Sequence, residues 1–179
     1  MKTSHRHATV SFLLSAFFAL TFICHGVSSL AQTKSNSYGE KAAFIISKID
    51  VAVAREFQTA WHVSHNGSDG FEGLVLVYPT TDGSILARSQ GKSGEQKHFT
   101  FGWTANIIAV VHTHPIDVDP RPVGDDLRLA DRFGVPVFTI TKRGMYVYDP
   151  DTRKTSQVKD GLDWLDAAKW DQARAVQRP

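Results

Sequence analysis

The apolar positions change their period several times along this chain, and the changes mark out its elements. From Gly39 to about Ala60, Ala42, Ile45, Ile46, Ile49, Val53 and Phe57 recur at three- and four-residue steps, which predicts one helix with a single apolar face. The polar run HNGSDG, residues 65–70, reads as a loop. GLVLVYP (73–79) and SILARS (84–89) read as two strands joined across TTDG, a hairpin signal in which Asp82 and Gly83 can adopt positive φ. KHFTF (97–101) and NIIAVV (106–111) predict two further strands. PVFTIT (136–141), a turn over Lys142, Arg143 and Gly144, and then MYVY (145–148) predict two more. A short helix is expected after Asp126. The final pattern, GLDWLDAAKWDQARAV, predicts a closing helix with Leu162, Trp164, Leu165 and Ala168 on its packing face. Together these elements predict an α/β fold, one mixed sheet of about six strands flanked by helices.

The first 31 residues depart from that pattern. Lys2 and Arg6 precede an apolar run from Val10 to Cys24, no acid occurs through Ala31, and small residues lead up to that point. This is the layout of a secretory signal peptide cut after Ala31, which places the protein in a secreted or periplasmic setting. The apolar run is shorter than the roughly 20 residues that span a bilayer, so membrane contact is expected only through the leader. Residues 32–38 are polar and read as a flexible lead, leaving 39–179 as the domain.

Charge and cysteine narrow the chemistry. Without the leader the chain balances 18 basic against 18 acidic residues, so no basic surface for nucleic acid is implied. Cys24, the one cysteine, falls in the leader. Disulfides and thiolate ligands are thereby excluded from the rest, and any metal must be held by His, Asp or Glu. About 148 residues are enough for one domain with a core.

The densest candidate chemistry lies in VVHTHPIDVDPRPVGDDL, Val110 to Leu127. His112 and His114 close an apolar run. On extended backbone, residues two apart point to the same face, so the two imidazoles can share one ion. Pro115 ends the strand, and Asp125 and Asp126 stand at the start of the next helical pattern, where either can return as a third ligand. Two imidazoles and one carboxylate suit a catalytic zinc, which leaves its fourth position to water. Glu72 opens the strand that begins at Gly73, and a glutamate is the usual base where a metal site needs a proton taken from water. Four tryptophans, Trp61, Trp103, Trp164 and Trp170, read as core residues.

In this order, a helix, Glu72 before a strand, HTHP closing another and an aspartate at a helix start, the chain resembles the JAB1/MPN (JAMM) zinc metalloproteases, closest to their bacterial JAB-like branch. The resemblance covers about Gly39 to Pro150. It implies a cytidine deaminase-like, JAB/MPN-type sandwich and a zinc-dependent hydrolase cleaving peptide or isopeptide bonds. His112, His114 and Asp126 would be the zinc ligands, and Glu72 the catalytic acid/base. Asp126 is preferred over Asp125 because Leu127 and Ala130 follow it as the family pattern asks. The family's oxyanion-donating serine corresponds here to Val123, or to Pro122 in the other alignment, leaving Thr113 or a backbone N–H as the substitute donor. A metal-binding or empty JAB/MPN-like module of the cell envelope, without catalysis, is the alternative. The expected partner is a peptide or protein substrate.

Overall fold

The computed structural model describes residues 38–166 together with 168 and 169. The expected leader, residues 32–37 of the lead, and Trp170 lie outside the described residues.

Among the described residues, three α-helices and one six-stranded sheet make up the fold. In chain order they are α1 (Glu40–Ser47), α2 (Val51–Val63), β1 (Gly73–Pro79), β2 (Ile85–Lys92), β3 (Ala109–Thr113), α3 (Asp125–Phe133), β4 (Val137–Thr141), β5 (Gly144–Asp149) and β6 (Lys154–Asp160). The strands lie in the order β2-β1-β3-β4-β5-β6. Only β3 and β4 run parallel, and the connection between them carries α3. The remaining neighbours are antiparallel, so the sheet is mixed, as the sequence predicts.

Both faces of the sheet are covered. The first two helices pack Ala42, Ile45, Val53, Phe57 and Trp61 against Val75, Val77, Val111, Phe138 and Val147. On the opposite face, Leu74, Leu76, Val110, Val137 and Tyr148 form a second core with Ala130 of α3 and the partly buried Leu127, Leu129, Phe99 and Phe101. Strands covered on both sides cannot alternate apolar with polar, which is why β1, β3 and β4 read as near-continuous apolar runs. Among the described residues no helix is long and apolar enough to cross a membrane.

Several expectations change. The single helix over 39–60 is two helices, because Asp50 adopts extended backbone and its carboxylate accepts from the N–H groups of Ala52 and Val53, both at 2.9 Å. That cap starts a new helix in the middle of an unbroken apolar stripe. KHFTF is not a strand. Both sides of β1 are already taken by β2 and β3, Lys97 sits at φ 55°, and the segment makes only an isolated bridge between Glu95 and His98. Phe99 and Phe101 still bury their rings, against the core on the α3 side. The sixth strand is instead KTSQVKD. Its single apolar residue, Val158, hid it from a pattern search, and its charges suit an edge strand. In the β1–β2 hairpin Gly83 takes the positive φ and Asp82 does not; the Asp82 carboxylate instead accepts from Ser84 N–H at 3.0 Å. Near the C-terminus, a 3₁₀ turn at Asp163–Leu165 brings Leu165 into the core and Trp164 edge-on to Phe57, while Ala168 is exposed. Tyr38, at the end of the expected flexible lead, packs on the same core.

Gly73 fixes how α2 approaches the sheet. A Cβ built there would stand 2.1 Å from the carbonyl oxygen of Ala60, a backbone atom that cannot step aside cheaply. Gly73→Ala is therefore expected to destabilise the protein by about 1–3 kcal/mol, as overpacking a tight contact does. Urea unfolding of the two proteins measures it, and an unchanged midpoint would mean that α2 is free to shift.

Candidate metal centre

The site grows from the register of β3. In this covered central strand, Val111 and Thr113 turn towards α1 and α2, and Val110 and His112 turn to the other face. Thr113 does not reach the site as a donor; its Oγ1 accepts from Gly73 N–H at 2.8 Å. His112 and His114 are buried, with their Nε2 atoms 3.0 Å apart. His114 Nδ1 lies 2.7 Å from the carbonyl oxygen of Asp119. A carbonyl can only accept, so Nδ1 carries the proton and Nε2 presents its lone pair to the cleft.

The loop that supplies this carbonyl is itself pinned. Asp119 accepts from the Arg121 guanidinium at 2.7 and 2.9 Å, and Thr139 of β4 donates to the carbonyl of Pro120. Pro115, where the chain leaves the strand, is buried.

The two aspartates separate cleanly. Asp126 turns back from the first turn of α3, with Oδ1 3.3 Å from His112 Nε2 and Oδ2 3.6 Å from His114 Nε2. Its Oδ2 also accepts from Val123 N–H at 3.0 Å. The positive end of the helix favours a carboxylate there. Asp125 points the other way, its side chain 77% exposed and paired with Arg128. Nor does Asp125 cap the helix: the N-cap is Gly124, without a side-chain bond.

Glu72 completes the cleft. β1 pairs Leu74 with His112, and carrying that antiparallel register two residues further sets Glu72 opposite His114. A solvated strand-end carboxylate would be the ordinary outcome, yet Glu72 is 7% exposed. Glu72, His112 and His114 offer ligand atoms all within 4.8 Å of one another, so they could hold a metal ion. Ser93 clamps the Glu72 backbone on both sides. Its Oγ accepts from Glu72 N–H at 3.0 Å, and its own N–H donates to Glu72 O at 2.7 Å. Nothing in GKSGEQ, which reads as loop, marks Ser93, and the structure buries it.

Charge binds the cluster together. Burial on its own pushes His112 down, but the Asp126 carboxylate, with Glu72 beyond it, holds the imidazolium up at about 9. Burial likewise pushes the Asp126 carboxyl up, and is outweighed by His112, His114 and the Val123 N–H, which keep it well below the usual carboxylate range. At neutral pH the cluster is therefore protonated at His112, and a cation held there would have to displace that proton. Around it lies a cleft of about 370 Å³ that also includes Phe99, Phe101, Leu129 and Val123. Neither Val123, which is 46% exposed, nor the buried Pro122 offers a side-chain donor.

No family model matches this chain, and no curated protein matches it. Among solved structures it is similar to the solution structure of a protein from Salinibacter ruber (strain DSM 13855), at 16% identity over 58% of this chain and 84% of that one. The TM-score is 0.33.

The geometry separates the aspartates by experiment. Asp126→Asn is expected to lower divalent-metal affinity about 10-fold or more, and Asp125→Asn to leave it within about twofold, since losing even an outer hydrogen-bond partner of a metal ligand typically costs 10–100-fold. Competition against a chromophoric chelator reads both. A larger loss in Asp125→Asn would mean that α3 presents the other carboxylate.

Proposed function

We propose that this chain is a zinc-dependent hydrolase of peptide or isopeptide amide bonds, with His112, His114 and Asp126 holding the ion and Glu72 moving the proton. The observation that carries the proposal is the triangle of donors. Its edges are 3.0, 3.3 and 3.6 Å. Ligands on a tetrahedral zinc stand about 3.3 Å apart, given bonds of roughly 2.0–2.1 Å. The donor set also fits, being two neutral imidazole nitrogens and one anionic oxygen with a buried glutamate beside them. This is the arrangement that the JAB1/MPN resemblance implies. The leader read in residues 1–31 would direct such an enzyme to the periplasm or outside the cell.

Zinc in that triangle would supply Lewis acidity, polarising the scissile carbonyl and making the attacking water more acidic. The protein's own groups do the rest. The Asp119 carbonyl keeps the His114 proton on Nδ1, so that Nε2 stays a ligand. Asp126 neutralises charge in the buried cleft and is steadied by the Val123 N–H. Glu72, fixed through Ser93, takes a proton from the water as the water oxygen bonds to the carbonyl carbon. As the C–N bond breaks, Glu72 delivers that proton to the departing amine nitrogen.

One observation favours a second reading, a metal-binding module without catalysis. At the family's serine position Val123 has no donor to offer a developing oxyanion, and its backbone N–H is already spent on Asp126. Loss of one such donor typically lowers turnover about a hundred- to a thousandfold.

Glu72→Gln tells the readings apart. Metal content is expected to stay at one zinc per chain, while hydrolysis of a peptide library falls about a hundred- to ten-thousandfold. Unchanged hydrolysis would remove Glu72 from the mechanism. No hydrolysis by the wild type with zinc bound would favour the binding module.

A further inference from the structure

The residues that close the cleft around the candidate centre carry information about what enters it. Phe99 and Phe101 come from the segment after β2, Leu129 from α3, and Val123 from the turn before that helix. The wall is fixed rather than loose. Phe99, Phe101 and Leu129 are partly buried against the core that covers the α3 face of the sheet. Two residues beyond Phe101, Trp103 stacks on Phe133 at the end of α3, ring centroids 3.8 Å apart and 14° from parallel, which ties the segment to the helix. Val123 stands 46% exposed at the cleft mouth. A lone exposed valine is ordinary on a surface, but here it continues an apolar wall towards solvent.

Charge at the cleft points the same way. Of the lining carboxylates, Asp119 is held by Arg121, Asp125 by Arg128, and Asp126 by the two histidines. Only Glu72 is left, and the proposed chemistry requires it. A basic side chain entering the cleft would meet Asp119 and Asp125 only at solvent-accessible positions where arginines already compete for them, so a pair there would repay little of its desolvation. An acidic one would meet Glu72 and Asp126, and the lining Lys97 and His98 are solvent-exposed, where an ion pair is worth little.

We infer that the substrate places an apolar side chain, aromatic or branched aliphatic, next to the scissile amide, between Phe99 and Phe101 on one side and Leu129 and Val123 on the other. This inference rests on the hydrolase reading for the word scissile, but not for the pocket itself. It also gives Val123 a role where the resembled family has a serine: the side chain supplies contact area to substrate.

The test uses the zinc-loaded full domain carrying Glu72→Gln, so that peptides bind without being cut. Acetylated, amidated Ala-Xaa-Ala tripeptides with Xaa as Phe, Leu, Ser, Asp or Lys are titrated by calorimetry. The Phe and Leu peptides are expected to bind about 10- to 100-fold more tightly than the other three, the ratio that burying one such side chain provides. Val123→Asn, a change at an exposed position that the fold tolerates, and Leu129→Ala should each shrink that margin several-fold without loss of zinc. Equal affinities, tighter binding of the Asp or Lys peptide, or no binding of any peptide would overturn the inference. A margin that survives both substitutions would equally overturn it. If the preference holds but the wild-type domain cleaves none of the peptides, the hydrolase reading fails and the apolar pocket stands. If the wild type cleaves peptides without regard to Xaa, the pocket fails and the hydrolase stands.

Discussion

Two imidazole nitrogens held 3.0 Å apart in a buried cleft impose a condition on everything around them. If both Nε2 atoms carry protons they repel, and if neither does, two lone pairs face each other out of reach of bulk water. Either one proton or one cation must lie between them. The neighbouring groups can be understood as answers to that condition. Asp119 offers a carbonyl that draws the His114 proton to the far nitrogen. Asp126 supplies a negative charge to both rings, and His112 is raised to about 9 in consequence. A shared proton and a metal ion could thus occupy the same electrostatic well.

The fold keeps the pair in place because His112 lies in a central strand and His114 directly follows it, its N–H donating to the carbonyl of Ile140 at 3.0 Å. β3 has a neighbour on each side and a packed layer on each face, so the backbone that carries His112 and leads into His114 is held by the core. The third and fourth groups arrive from separate elements, Asp126 from a helix start and Glu72 from the turn into β1. Their precision depends on local anchors, the Val123 N–H for the first and the Ser93 clamp for the second. Metal sites are built this way in general, with ligands oriented by the bonds of the residues behind them.

What could be read from the sequence follows from how local each signal is. The histidine pair was legible because strand periodicity alone aligns residues 112 and 114. Asp126 could be preferred to Asp125 from the spacing of Leu127 and Ala130, and the geometry places Asp126 beside the histidines. The break at Asp50 was hidden inside a continuous apolar stripe, since a side-chain cap overrides periodicity there. Phe99 and Phe101 alternate as a strand would, yet both sides of β1 are taken by β2 and β3, and which strands pair is a tertiary fact. The strand at 154–160 failed in the opposite sense, being too polar to show. Ser93 was invisible for a similar reason: its partner Glu72 lies 21 residues away, and only the β1–β2 pairing brings them together.

The central claim is a division of labour between two buried carboxylates, one bonded to the ion and the other left free to move a proton. A crystal structure of the zinc-loaded domain, with the ion located by anomalous scattering at the zinc edge, tests it most directly. The expected result is an ion bonded to His112 Nε2, His114 Nε2 and one oxygen of Asp126, with the Glu72 carboxylate beyond bonding distance. An ion bonded to Glu72, with Asp126 turned away, would contradict the account.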